Sequence, residues 1–216
     1  MILDSAPLWA AETNTYVIAA EHGEQAIVVD APPDVSGIAA LISKHDLVPT
    51  TLLVTHGHID HVGGAGGFVA ATGVTAYVHP ADDFLTMDPE SQLRSLFGMV
   101  PPGAETLAPP ENLIALAGDT TLDLAGFSID VLHTPGHTPG HCCFSLRDEG
   151  LLFSGDQLFA GSIGRTDLPG GDFEQLMQSM RDEVLVLDDD IRVLPGHGPE
   201  TTIGRERRTN PFLVAG

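Results

Sequence analysis

The sequence predicts an α+β fold in which packed β-sheets are covered by helices, and three observations carry that expectation. Short apolar, β-branched runs recur through both halves of the 216 residues. Helical periodicity appears between those runs rather than in a separate block. No stretch has the composition of a linker, so strands and helices must share one packed body, and a single domain over 1–216 is expected.

In the first half the strands fall at TYVIAA (15–20), AIVVD (26–30), TTLLVT (50–55) and VTAYVH (74–79). Within DVSGIAALISKHD (34–46), Val35, Ile38, Ala39 and Ile42 form one helical stripe, with Asp34 as the N-cap. A second helix is expected over 66–72. Proline-rich text from 88 to 110 reads as a long excursion with one helical turn around 92–97. The second half repeats the theme with strands at 120–124, 127–134, 141–146 and 150–155. A helix over 173–186, a strand at 191–196 and a last helix over 203–209 complete it.

Hydrophobic residues make up 43% and charged residues 18%, which is the composition of a folded globular chain. No apolar run reaches the length of a membrane span, and the first twenty residues lack the basic start and small-residue cleavage site of an export signal. A cytoplasmic protein is expected. Cys142 and Cys143 are adjacent, so a bridge between them would be strained, and both read as small strand residues. The formal charge is −21 and Lys44 is the only lysine, which excludes nucleic acid and anionic membrane as expected partners. An anionic substrate would need a local cationic patch against that field.

The chemistry concentrates in LLVTHGHIDH, where His56, His58, Asp60 and His61 crowd a short loop just past an apolar strand. His56 and His58 can converge on one cation, while Asp60 and His61, beyond the bend, face a second position. Four ligands cannot close two sites. His137 in TPGHT, Asp156 in FSGDQLF and His197 in LPGHGP each follow an apolar run and have glycine beside them. Alone, each reads as a turn residue. Together with the first loop they make five histidines and two aspartates, a set suited to two cations of the zinc type.

The segments THGHIDH, TPGHTPGH, SGDQLFAGSIGRTDLPGGD and LPGHGPETTI resemble the metallo-β-lactamase superfamily, and most closely its glyoxalase II (hydroxyacylglutathione hydrolase) branch, in family order across 50–205. That resemblance implies a four-layer αββα sandwich with a dinuclear site at the sheet edges. It implies that His56, His58 and His137 hold one metal, that Asp60, His61 and His197 hold the other, and that Asp156 bridges them. The cofactor would be two divalent ions, zinc first, with iron and manganese as alternatives. The reaction would be hydrolysis of an S-2-hydroxyacylglutathione-like thioester by a metal-bound hydroxide, as in methylglyoxal detoxification, giving a 2-hydroxy acid and a free thiol. Asp60 would also orient the hydroxide.

Arg165, in GSIGRTD, is the expected substrate contact, the alternative being a pair with Asp167 that holds the loop, and the two roles are compatible. Only nineteen residues follow His197, so the C-terminal helical domain with which two-domain glyoxalase II enzymes grip glutathione is expected to be missing. Arg205, Arg207 and Arg208 read as surface charges on the last helix. Two alternative functions stay open. Persulfide dioxygenases share the HxHxDH and GRTD signatures but use a single iron, and they carry Arg and Cys where this chain has Gly161 and Ile163. A metallo-hydrolase acting on another ester or a lactone is the second. The partner is a small-molecule substrate, and the oligomeric state is not legible.

In HTPGHTPGH (133–141), His137 occupies the ligand position of the family pattern. His141 is expected to support the site from behind, as is Asp30 at the end of its strand. His133 belongs to the preceding strand, facing solvent or packing. His22 and His45 read as surface residues, and His79 as a turn residue.

Overall fold

Runs such as AIVV and TLLV show no alternation, which is the pattern of strands buried on both faces. The computed structural model, which describes residues 1–99 and 107–214, bears this out: Ala26, Ile27, Val28 and Val29, like Leu52 and Leu53, are at most 1% exposed. The chain forms two compact units, Met1–Leu116 and Ala117–Gly216.

The first unit is built on a six-stranded sheet in sequence order. Its strands are β1 (Ile2–Leu8), β2 (Thr13–Ala19), β3 (Gln25–Val29), β4 (Val48–Leu53), β5 (Thr75–Val78) and β6 (Leu113–Ala115). The β1–β2 and β2–β3 pairs are antiparallel, and β3 through β6 run parallel. Helix α1 (Val35–Ser43) starts where expected, its Asp34 cap accepting from the Gly37 N–H. One core gathers Val17, Val28, Leu52 and Val78 from the strands with Ile38 of α1 and with Phe68. Between β4 and β5 lie α2 (Ile59–Val62) and α3 (Ala65–Thr72), and after β5 come α4 (Asp83–Thr86) and α5 (Pro89–Phe97).

The second unit carries a mixed sheet in the order β14-β13-β10-β9-β8-β7. These are β7 (Thr120–Leu124), β8 (Phe127–His133), β9 (Cys142–Leu146), β10 (Leu151–Gly155), β13 (Arg192–Pro195) and β14 (Thr201–Thr202). A separate hairpin pairs β11 (Leu158–Phe159) with β12 (Ser162–Ile163). Helices α6 (Phe173–Ser179), α7 (Ile203–Thr209) and α8 (Pro211–Val214) complete it. Its core joins Cys143, Leu152 and Val193 of the sheet to Leu176, Met180 and Ile203.

Several expectations need correction. The segment expected to make one helical turn forms a nine-residue helix, because Asp88 caps it through the Ser91 N–H and Pro89 stands at its first position, where no amide bond is lost. Residues 100–106 of that expected excursion lie outside the described residues. The helix expected over 173–186 is α-helical only to Ser179 and continues as a π-turn from Met180 to Val184. Strand β1 was not anticipated because it is an edge strand with mixed burial. Among the described residues, no helix is long and apolar enough to cross a membrane.

Candidate metal centre

In the first unit, β3 and β4 are parallel neighbours, so the residues just past their C-terminal ends lie at one sheet edge. Asp30 follows β3, and Thr55 to His61 follow β4. Asp30 accepts from the Thr55 N–H at 2.7 Å and from the Thr55 hydroxyl, and His61 Nδ1 donates to Asp30 Oδ2 at 2.8 Å. With its own proton given to Asp30, the Thr55 hydroxyl accepts from His56 Nδ1 at 3.1 Å. That bond leaves the His56 Nε2 lone pair facing His58 Nδ1, 3.0 Å away. His61 Nε2 stands 3.6 Å from Asp60 Oδ2. His56, His58 and His61 are buried, and Asp60 is half-buried.

The loop is braced from behind by residues that sequence reasoning missed. Asp82, fully buried, accepts the Gly57 N–H at 2.7 Å. The Gln92 amide accepts the Ile59 N–H at 3.0 Å and donates to the carbonyls of Gly57 and Leu85. A side chain at Gly57 would come within 2.9 Å of Asp82 Cβ and Leu85 Cβ, so only glycine fits between His56 and His58. Thr13 offers its hydroxyl to Asp60 at 3.4 Å. Asp82 and Gln92 sit in polar text 25 and 35 residues from Gly57, where nothing local distinguishes them from surface residues.

In the second unit, β8, β10 and β13 run in one direction, since β9 is antiparallel to both β8 and β10, and β10 is parallel to β13. His137, Asp156 and His197 follow the C-terminal ends of these three strands and so share an edge. His137 Nδ1 donates to the Arg165 carbonyl at 2.7 Å, and its Nε2 faces Asp156 Oδ2 at 3.5 Å. His197 Nε2 stands 3.7 Å from the same oxygen. The ring of Phe159 lies 6.3 Å from that of His197.

His141 Nε2 accepts the Asp156 N–H at 3.1 Å, so its proton is on Nδ1, which donates to the Thr134 hydroxyl at 2.8 Å. It thus braces the backbone of Asp156. His133 is tied down as well, its Nε2 bonding the Pro139 carbonyl at 2.9 Å. His45, expected at the surface, is instead 16% exposed and pairs with Asp4 at 2.7 Å, because β1 covers it. His22 is exposed, and His79 accepts the Ala81 N–H at the start of a 3-10 turn. The Arg165 Nε and Nη2 donate to the two Asp167 oxygens at 2.7 and 2.8 Å, which is the pair expected beside its substrate contact. The hydrogen bond from Arg165 holds the Asp167 carboxyl down at about 2.

Within each group, pairs of side chains are spaced as ligands of a divalent cation would be. Ligands around an ion with bonds of ~2.0–2.2 Å stand roughly 3.3–3.6 Å apart in tetrahedral geometry. The 3.5 and 3.6 Å separations fall in that range, 3.7 Å lies just above it, and all are long for hydrogen bonds.

The model of the metallo-beta-lactamase superfamily matches residues 9–197. The chain belongs to that superfamily. Its membership makes it a metal-binding enzyme of a hydrolase family. It is 37% identical to the hydroxyacylglutathione hydrolase GloC of Haemophilus influenzae, over 99% of this chain and 98% of that one. Among solved structures, the BLEG-1 B3 metallo-beta-lactamase superposes with a TM-score of 0.89 at 33% identity, covering 98% of this chain and 99% of the other. TTHA1623, solved in a di-iron-bound form, gives 0.83 at 38% identity, covering 97% of this chain and 100% of the other. These superpositions show the metallo-β-lactamase fold, and with it the α+β class expected from the sequence.

Proposed function

We propose that the protein is a dinuclear-metal hydrolase that cleaves a 2-hydroxyacyl thioester of a small thiol, giving a 2-hydroxy acid and the free thiol. The two ligand groups would serve one centre within a single domain. His56, His58 and His137 would hold one ion, Asp60, His61 and His197 the other, and Asp156 both. The observation that carries this reading is the single Asp156 oxygen standing 3.5 Å from His137 Nε2 and 3.7 Å from His197 Nε2, one carboxylate shared between two sets of ligands.

When bound, such ions supply Lewis acidity and lower the pKa of water toward ~7. The chain's own residues do the positioning. Asp60, turned by the Thr13 hydroxyl, is placed to accept a proton from the attacking water. Asp30 and the Arg165 carbonyl fix the rings of His61 and His137 so that each Nε2 points to its ligand partner. The bond that breaks is carbon–sulfur, and a thiol with a pKa of ~8.5 leaves as thiolate without a general acid. The name borne by the Haemophilus relative supports the thioester reading. Zinc is our assignment, with iron, the metal in the TTHA1623 structure, as its competitor and manganese third. We place the enzyme in the cytoplasm.

The test is to purify the protein, measure metals by mass spectrometry, and assay S-lactoylglutathione cleavage, glutathione persulfide oxidation and β-lactam hydrolysis in parallel. About two metals per chain and thioester cleavage are expected, with loss of both on chelation. One iron per chain with oxygen uptake and no thioester cleavage overturns the reading in favour of persulfide oxidation. β-Lactam turnover alone overturns it in favour of the lactamase activity.

A further inference from the structure

The chain segments around His137, Asp156 and His197 are tied to one buried side chain. Glu206, on α7, is 1% exposed. Its Oε1 accepts from the Thr201 hydroxyl at 2.6 Å, on the short strand β14 that follows His197. Its Oε2 accepts the Gly161 N–H at 2.8 Å, in the turn of the β11–β12 hairpin that follows Asp156. The same oxygen accepts from the Asn210 amide at 2.9 Å, and Asn210 also donates to the Ser162 carbonyl at 3.0 Å. The turn and the first residue of β12 are thus fixed to α7 and its C-cap.

Strand β12 ends at Ile163, and the next two residues meet the ligands. A Cβ at Gly164 would run into the Asp156 carbonyl and stand 3.2 Å from His137 Nδ1, so the backbone is threaded between the two. The Arg165 carbonyl then accepts from His137 Nδ1 at 2.7 Å. A carbonyl can only accept, so the proton sits on Nδ1 and Nε2 keeps the lone pair that a cation needs. Two-residue strands pair too briefly to hold that carbonyl on their own.

We infer that Glu206 is a positioning residue for the metal centre: by clamping Gly161, with Asn210, it fixes the exit of the hairpin and so the Arg165 carbonyl that sets the tautomer and direction of the His137 ring. The inference rests on His137 being a metal ligand. What Glu206 supplies is acceptor geometry rather than charge. A glutamine could keep its oxygen on Gly161 and Asn210 and turn its NH2 to the Thr201 hydroxyl, which would then accept. Alanine would leave the Gly161 N–H without its acceptor and release the turn.

The experiment uses the metal-free full chain and zinc. Chelator competition gives the zinc affinity, and nitrogen NMR of the imidazole rings gives the His137 tautomer with no metal present. Glu206→Ala should weaken zinc binding by about tenfold and draw the shifts of the two His137 ring nitrogens together as the tautomers mix. Glu206→Gln should hold zinc affinity within about twofold and leave the ring as in wild type. Arg207→Ala, which releases the Leu185 and Leu187 carbonyls from α7 without touching the hairpin, should lower Tm and change neither readout. Unchanged affinity and an unchanged His137 ring in Glu206→Ala overturn the inference. An equal loss in Glu206→Gln overturns it by assigning the effect to charge, and an equal loss in Arg207→Ala by assigning it to stability. If Glu206→Ala fails to fold, Asn210→Ala, which frees the Ser162 carbonyl, is read the same way. His137→Ala separates the two readings: zinc affinity that survives it overturns His137 as a ligand, while the ring nitrogens still decide the positioning by Glu206.

Discussion

Asp30 Oδ2 lies 2.8 Å from His61 Nδ1, both side chains are buried, and Asp30 holds that position with a φ of +61°. The carboxylate orients the imidazole, and the left-handed backbone aims the carboxylate. Asn tolerates that conformation and keeps an acceptor for the Thr55 N–H, but its NH2 would face the His61 Nδ1–H, so Asp30→Asn removes both the charge and the acceptor that orients the imidazole. It should fold, and a chelator-competition titration should show metal affinity about 10–100-fold weaker. Asp30→Ala should in addition lower Tm, because the buried Thr55 N–H loses its acceptor and a left-handed alanine is strained.

Gln92 is the sole side chain bonded to both Gly57 and Ile59, on either side of His58, among the hydrogen bonds described above. Gln92→Ala should loosen the ligand loop without touching a ligand. Hydrogen exchange at the Ile59 amide should accelerate, and metal affinity should fall by about tenfold. Unchanged exchange at Ile59 would show that the other braces hold the loop without Gln92.

Glu206, 1% exposed, accepts from the Thr201 hydroxyl at 2.6 Å, the Gly161 N–H at 2.8 Å and the Asn210 amide at 2.9 Å. Asn210 in turn donates to the Ser162 carbonyl, so α7 grips the turn of the β11–β12 hairpin that carries Phe159. Glu206→Ala strands these donors and should cost about 2–4 kcal/mol in a urea melt. Glu206→Gln, whose NH2 can donate to Thr201 while its oxygen accepts from Gly161, should recover most of that.

Acid should unfasten β1 at Asp4. Burial pushes the Asp4 carboxyl up, but hydrogen bonds from Lys44, His45 and the Ser5 N–H, with the Lys44 charge, hold it down at about 2. A carboxyl lowered on folding contributes stability that is full above its unfolded value of 3.8 and is lost as pH falls through the folded value. The Tm difference between wild type and Asp4→Asn should therefore be constant above about pH 5 and shrink towards zero near pH 2. A difference that persists below pH 2 would assign the effect to packing.

The legible parts of this protein were those written locally. Strands β2 to β5 and β7 to β10 announce themselves by apolar runs, and α1 by its stripe and the Asp34 cap. His56, His58, Asp60 and His61 stand out by crowding one loop past β4, whereas His137, Asp156 and His197 stand out only in company with that loop and with the family pattern. What escaped was everything settled at long range. Asp82 and Gln92 matter only because α4 and α5 fold back over the loop of Gly57. The pairing of Arg165 was left as one of two alternatives, since a two-residue separation permits an ion pair without requiring it. The π-turn after Ser179 has an ordinary helical pattern and could not be told from an α-helix.

The brace around His56 to His61 draws on Asp30, Thr55, Asp82 and Gln92, and none of these is among the candidate metal ligands. The candidate ligands of the first unit are therefore set by folding rather than by an ion. In a zinc finger the cation must supply the free energy that orders its own ligands. Here that entropy is already spent when the chain closes residues 30 to 92 on one another. Loading then becomes an encounter between a finished protein and an exchangeable pool, so the metal it carries will follow what that pool offers.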